Sequence, residues 1–326
     1  MTAPVHADRA VAEGQGGNDR SGSAPPHRHA DHRWRRRFRP GRQRLRGSGL
    51  GRQRPRPRRD DDEHAAAHDF PAHAWQLAAT LTEYLDRQGH WHDWLTTQHT
   101  ALDAARRAAD LRGQAVSQRG LARASNWSDQ HENALFHFTH ALQLYARLDD
   151  RAGQARVHRG LSHTLGRMGR QAEALDHARR ALALLRGAGD PAGEAVTLNA
   201  VGWHLAQLGD HRQALRHCRR ALTLPRELGD RSGQAYTWDT LGYAHHHLGE
   251  DHRAADCYRH AIALYRDLDM CYYQAETLTH LGDAQAAADT EAARRAWSQA
   301  LEILDDLGHP EAGQVRAKLD TLRAER

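Results

Sequence analysis

Lysine is nearly absent from this 326-residue chain: of its 46 basic residues only Lys318 is not Arg. That excludes a phosphate-cradling P-loop, whose G-x4-G-K-(S/T) occurs nowhere. Cysteine is also scarce. Cys218, Cys257 and Cys271 have neither metal-type nor redox spacing, and an odd count of scattered thiols points to a reducing, intracellular setting. No apolar run approaches the ~18 residues needed to cross a bilayer. The N-terminus, MTAPVHADRAVAEGQGG, lacks the apolar core of a signal peptide. A soluble cytoplasmic protein is therefore expected. Ser, Asp and His are plentiful, but no G-x-S-x-G nucleophile motif occurs. No catalytic residue, cofactor or metal is expected.

The formal net charge is +5, unevenly spread. Residues 1–60 hold sixteen Arg against five acidic residues, giving +11 and leaving −6 for residues 61–326. The basic character thus belongs to the N-terminal segment. That segment is rich in Gly, Pro, Ser and Arg and poor in apolar side chains, so it cannot bury enough surface to offset chain entropy and is expected to be disordered. Three readings of it stand side by side: a solvated tail, a segment translated out of frame from GC-rich codons, or a phosphate-binding arm. In the last, the arginines between Arg33 and Arg59 would neutralise phosphates while Trp34 and Phe38 stack on bases. Gly47-Ser48-Gly49-Leu50-Gly51 loosely resembles a phosphate loop, but no strand precedes it and no helix follows.

From Asp61 onward apolar residues recur at three and four spacings, the mark of amphipathic helices. A short phrase returns every 40 residues: Gly113-Gln114-Ala115, Gly153-Gln154-Ala155, Gly193-Glu194-Ala195, Gly233-Gln234-Ala235 and a weaker Tyr273-Gln274-Ala275. Other columns keep the same phase. One holds Leu121, Leu161, Val201, Leu241 and Leu281; another holds Ala134, Ala174, Ala214 and Ala254. The clearest unit carries Trp238-x2-Leu241-Gly242-x2-His245, then Ala254-x3-Tyr258-x2-Ala261. That is the helix-turn-helix signature of a tetratricopeptide repeat, with two substitutions and a period longer than the usual 34. The predicted fold is an all-α tetratricopeptide helical-hairpin solenoid over residues 61–326. Its units fall at about 71–110, 113–150, 153–190, 193–230, 233–270 and 273–308, with a capping helix at 311–323. The turn from Gly89 to Trp94 is unusually aromatic.

The phrases AHAWQLAATLTEYLDRQGHWHDW, LNAVGWHLAQLGD, TWDTLGYAHHHLG, TLTHLGDA and ILDDLGHPEA resemble the C-terminal repeat region of Streptomyces antibiotic regulatory protein-type transcriptional regulators. The resemblance covers roughly residues 65–320. It implies a sensor or partner-binding arm in a transcriptional regulatory system. It also implies a preceding DNA-binding domain and a nucleotide-binding switch, which residues 1–60 are too short and too polar to supply. The chain is thus expected to be a repeat arm alone, standing by itself or as part of a longer regulator.

In such an array the first helix of each hairpin faces a concave groove. Its expected lining is a stripe that repeats every 40 residues. It begins with Arg119, Arg123, Asn126 and Trp127, then Arg156, Arg159, His163 and Arg167. Asn199, Trp203 and Gln207 follow, then Tyr236, Asp239, Tyr243, His246 and His247, and last Glu276, Thr279 and Asp283. The groove should be basic toward the N-terminus, aromatic and amide-bearing in the middle, and acidic toward the C-terminus. That suits a protein or peptide ligand with oppositely charged ends; equally, helix surfaces are commonly charged without binding anything. Nucleic acid would bind only through the N-terminal segment. His245, His246 and His247 point about 100° apart and cannot converge on one metal ion. His211, His217 and His252 are scattered. Trp203, Trp238 and Trp297 read as packing residues or groove anchors.

Overall fold

The computed structural model describes residues 71–88, 90–224 and 230–324. The segment expected to be a disordered tail lies outside them. Among the described residues there are thirteen helices. They are α1 (Pro71–Gln88), α2 (Trp91–Arg107), α3 (Leu111–Trp127), α4 (His131–Arg147), α5 (Arg151–Arg167), α6 (Gln171–Ala188) and α7 (Pro191–Gln207). The remainder are α8 (His211–Thr223), α9 (Arg231–His247), α10 (Asp251–Asp267), α11 (Cys271–Gln285), α12 (Thr290–Leu307) and α13 (Ala312–Ala324). Consecutive helices pair as antiparallel hairpins, and each hairpin stacks on the next. The result is an all-α helical-hairpin solenoid.

The linker chemistry sets the period. Asp110, Asp150, Asp190 and Asp230 each cap the helix that opens the next hairpin, and each side chain accepts the amide N–H of the glycine three residues on. A Cβ at Gly193 or Gly233 would collide with that carboxylate. The following Gln114 and Gln154 reach back to the carbonyls of Ala105 and Tyr145, each at 3.4 Å, so the end of the preceding helix is also satisfied. The Ala after them is fully buried at Ala115, Ala155, Ala235 and Ala275. The repeated Gly-Gln-Ala phrase is therefore a cap, a carbonyl tie and a packing contact in three successive residues. Left-handed turn residues recur about every twenty positions, at Ala109, Asp129, Asp149, Gly169, Gly189, Gly209, Gly249, Asp269 and Gly308. They end the helices as αL caps do.

The columns read from the sequence form the core. Leu121, Leu161, Val201, Leu241 and Leu281 are buried, and Ala134, Ala174, Ala214 and Ala254 are wholly so. Glycines let the helices approach closely. A Cβ on Gly242 would lie 2.5 Å from the Tyr258 ring, and Gly202 and Gly282 abut Cys218 and Trp297 in the same way. At the N-terminal end, Trp91 and Trp94 belong to α2 rather than to a turn. Trp91 stacks on Trp127 with centroids 5.5 Å apart, and Trp94 is fully buried. This aromatic cluster packs α1, α2 and α3 together. Helix α13 covers the C-terminal end of the described array, burying Ala312, Val315 and Leu319.

Several core histidines are held neutral. His204 donates from Nδ1 to Gln171 Oε1 at 2.8 Å and accepts at Nε2 from the Ser162 hydroxyl at 2.9 Å. Burial, with His163 nearby, lowers its pKa to about 4. His158 and His177 share one hydrogen bond between their Nδ1 atoms at 2.9 Å; burial and His177 lower the His158 pKa to about 4. His280 behaves oppositely. Burial alone would lower its pKa, but Asp239 at 3.6 Å, with Glu276 and Asp283 beyond, raises it to about 9.

Two predictions follow from this packing. Gly242→Ala should cost about 1–3 kcal/mol, because an overpacked helix contact forces the Tyr258 ring aside. Gly313→Ala, where an added Cβ meets nothing, should cost nothing; urea melts of both variants compare them. For pH, the unfolded chain protonates His158 and His204 near 6.5, whereas the folded chain resists until about 4. The unfolded state therefore binds more protons between those values, and stability should fall as pH drops through that window. The loss should reach about 2–3 kcal/mol for each of the two by pH 4.5. The His280–Asp239 pair is lost in the other direction, as pH rises from 6.5 through about 9. Thermal melts from pH 4.5 to 9.5 should peak near neutrality.

Candidate functional site

Helices α3, α5, α7, α9 and α11 line one continuous concave cavity of about 690 Å3. Side chains spaced by three and four residues along each helix share its inner face. Helix α3 contributes Arg119, Arg123, Asn126 and Trp127, and α5 contributes Arg156, Arg159, His163 and Arg167. Helix α7 adds Asn199, Trp203 and Gln207; α9 adds Tyr236 and Asp239; α11 adds Glu276. The size is that of a pocket for a small ligand or a short peptide.

The five arginines at the basic end are not equivalent. Arg167 is committed to structure. It donates to Asp129 Oδ1 at 2.6 Å and to the Asn126 carbonyl at 3.1 Å, tying α5 to the turn after α3. Arg156 lies 4.0 Å from Asp150, and Arg123 sits 5.3 Å over the Trp94 ring. Arg119 and Arg159 differ. The Arg119 Nε is buried and meets no hydrogen-bond acceptor among the described residues. Arg159 makes no hydrogen bond or close ion pair with a described residue. Desolvation lowers its pKa, opposed only at longer range by Asp190 and Asp230. Two turns beyond Arg119 on α3 stands Asn126, whose Nδ2 donates to Thr164 while its buried Oδ1 has no partner among the described residues. His163 is exposed within the groove, and its pKa is lowered by desolvation against the walls and by Arg167.

Tyr243, His246, His247, Thr279 and Asp283 lie outside the cavity lining. Tyr243 is buried between Trp203, 5.3 Å away, and His247, which stacks on it at 4.0 Å. His246 hydrogen-bonds Asp251 at 2.6 Å, and His245 hydrogen-bonds Glu250 at 2.5 Å. Asp283 accepts from Lys318 at 2.6 Å and from the Trp297 indole at 3.0 Å, anchoring α13. The Thr279 hydroxyl donates to the Ala275 carbonyl. Conversely, Tyr272 and Tyr273 line the cavity and are absent from the stripe read in the sequence. They stand one helical turn before Glu276, where carrying the stripe one turn further back reaches them.

Ser162, His204 and Gln171 form a hydrogen-bonded chain on the cavity wall. The order is that of a nucleophile, base and orienting group. However, Ser162 is only 2% exposed, and the neighbouring amides are engaged within a helix. No oxyanion donor pair is available there, so the chain satisfies a buried imidazole. Among the described residues no group of three or more His, Cys, Asp or Glu is placed to hold a metal ion, and no helix is long and apolar enough to cross a membrane.

By fold and site the chain belongs to the class of helical-repeat scaffolds with a concave groove. Residues 113–187 and 193–267 match the tetratricopeptide repeat family, and the fold is a tetratricopeptide-repeat solenoid. No curated protein matches the sequence. Solved structures share the fold at low identity. The apo form of RapI superposes with a TM-score of 0.61 at 14% identity, covering 77% of this chain and 97% of that one. A Rap protein complexed with Competence and Sporulation Factor gives 0.56 at 15%, covering 77% and 75%. The STAND signal transduction ATPase with a tetratricopeptide repeat sensor from Pyrococcus horikoshii gives 0.59 at 16%; it is matched over 81% of this chain but 43% of its own.

One prediction tests the uncompensated guanidinium. Arg159→Leu should raise the stability of the ligand-free protein by up to about 1 kcal/mol, because it removes a partly desolvated charge that lacks a close partner among the described residues. Arg167→Leu should lower stability, since it breaks a paired contact. Denaturant midpoints of the two variants should move in opposite directions.

Proposed function

We propose that the protein is a non-catalytic scaffold that binds a peptide or protein partner in its concave groove. The observation that carries this reading is the presence of Arg119 and Arg159, partly buried cations with no close acceptor among the described residues, in the wall of a peptide-sized cavity. Burying a charge without a partner is costly, and an acidic group on a ligand offsets that cost. The residues proposed to contact the partner are those of the stripe that line the cavity, from Arg119 to Glu276.

We further propose that this groove is the sensor or partner-binding arm of a transcriptional regulatory system. The resemblance of the repeat phrases to antibiotic regulatory proteins supports this. So does the fold shared with a signal transduction ATPase whose repeats are described as a sensor. The Rap protein bound to Competence and Sporulation Factor supports ligand binding on this fold. A second reading rests on the +11 charge of residues 1–60, by which the chain would bind nucleic acid through that segment.

A fluorescein-labelled hexaglutamate peptide and a labelled 20-mer of single-stranded DNA separate the two readings by fluorescence polarisation on the full chain. Under the groove reading, the triple variant Arg119→Glu, Arg123→Glu, Arg159→Glu weakens peptide binding at least tenfold, and removing residues 1–60 leaves it unchanged. Peptide binding untouched by the triple variant would sink the groove reading. Strongly salt-dependent DNA binding that disappears with residues 1–60 would establish the second.

A further inference from the structure

At the end of the cavity opposite the arginines, three tyrosines form a box. Tyr236 and Tyr273 meet edge to face, with centroids 5.2 Å apart and planes at 85°. Tyr272 and Tyr273 meet at 5.5 Å and 72°. All three are half-buried and line the cavity together with Glu276 and Asp239. The rings are braced from behind. Tyr273 stacks on the fully buried Tyr265 at 5.6 Å. The Tyr272 hydroxyl reaches the Glu311 carboxylate at 3.3 Å, and its ring packs on His309 at 4.8 Å. Such rings need little reorganisation to receive a ligand.

The electrostatics at this end favour a cation. The face of an aromatic ring is electron-rich and attracts a cation placed within about 6 Å of it. Asp239 is balanced by His280 at 3.6 Å. Glu276 is a second carboxylate on the wall, and Glu311 adds a third negative charge behind Tyr272. Negative charge there also acts on the rings themselves: burial and then Glu276 and Glu311 push the Tyr272 phenol well above its usual range.

We propose that this tyrosine box is a subsite for a cationic group, the side chain of an arginine or a lysine, free or methylated, carried by the same peptide whose acidic group meets Arg119 and Arg159. The inference rests on the groove reading and refines it: the ligand is dipolar and lies along the cavity in one direction. The two ends of one continuous cavity select opposite charges, so a peptide reversed end for end would bring like charges together at both. Direction is therefore specified by the groove.

The test is a positional-scanning library of labelled hexapeptides, each position fixed in turn as Arg, Lys, trimethyl-lysine, Glu or Leu, binding to the full chain. The expected result is at least a fivefold preference for a cationic residue over Leu near one end of the peptide and for Glu near the other. Glu276→Gln and Tyr273→Leu, the second keeping apolar bulk without the ring, should reduce the cationic preference below twofold and leave the acidic one intact. Arg159→Gln should do the reverse. Circular dichroism confirms that each variant is folded. An acidic preference with no cationic preference overturns the tyrosine box while leaving the groove reading standing. A cationic preference that survives both Glu276→Gln and Tyr273→Leu also overturns the box. Failure of every peptide to bind overturns both.

Discussion

Three consecutive hairpins of this solenoid depend on the backbone of one helix touching a large or polarisable side chain of its partner. Gly202 against Cys218, Gly242 against Tyr258 and Gly282 against Trp297 are successive versions of one contact. The glycine removes the side chain that would hold the helices apart, and the partner group fills the space so gained. Close approach buries the alanine columns on both helices. No single hairpin covers its own apolar face, so the next hairpin must supply the cover, and the array propagates. Aspartate caps at Asp110, Asp150, Asp190 and Asp230, joined at the first two linkers by a glutamine tie, hold the start of the next hairpin. The curvature that makes the concave face is the sum of these small, repeated choices.

That curvature assigns each repeat the same few inward positions, and the chain changes what occupies them. One column runs Arg156, Val196, Tyr236, Glu276; its neighbour runs Arg119, Arg159, Asn199, Asp239. Backbone geometry is constant along these columns while charge passes from positive through neutral to negative. The fold provides places and the substitutions provide chemistry, which is how one repeat architecture serves many partners. The aromatic residues follow the same logic. Trp127 and Trp203 stand where the groove is basic or neutral, and Tyr236, Tyr272 and Tyr273 stand where it is acidic.

Much of this was legible in the sequence, because a 40-residue period turns one helix's pattern into five independent tests of register. The buried columns and the inward stripe both came from that periodicity. The difficulty lay where a neighbour outside the repeat, or an unusually large ring, altered local exposure. Tyr243 shares a column with the groove residue Trp203, yet Trp203 and His247 cover it. Asp283 shares the same column and is taken up by Lys318 of the capping helix. Neither event leaves a trace in helical spacing. Tyr272 and Tyr273 escaped for a simpler reason: they stand at the start of α11, one turn before the stripe's first residue on that helix.

Formal charge along the stripe therefore differs from the charge available to a ligand. Arg167 and Arg159 occupy the same inner face of the same helix, two turns apart, but Arg167 spends its hydrogen bonds on Asp129 and Asn126. Arg159 has carboxylates only at a distance. On the acidic side, the protonated His280 balances Asp239. Internal pairing subtracts charges from the groove in a way that depends on single contacts and not on the repeat. The scaffold thus holds its shape with one set of ionic side chains and leaves another set facing the cavity. The price is borne in stability, since an unpaired guanidinium in a desolvated wall weakens the empty protein.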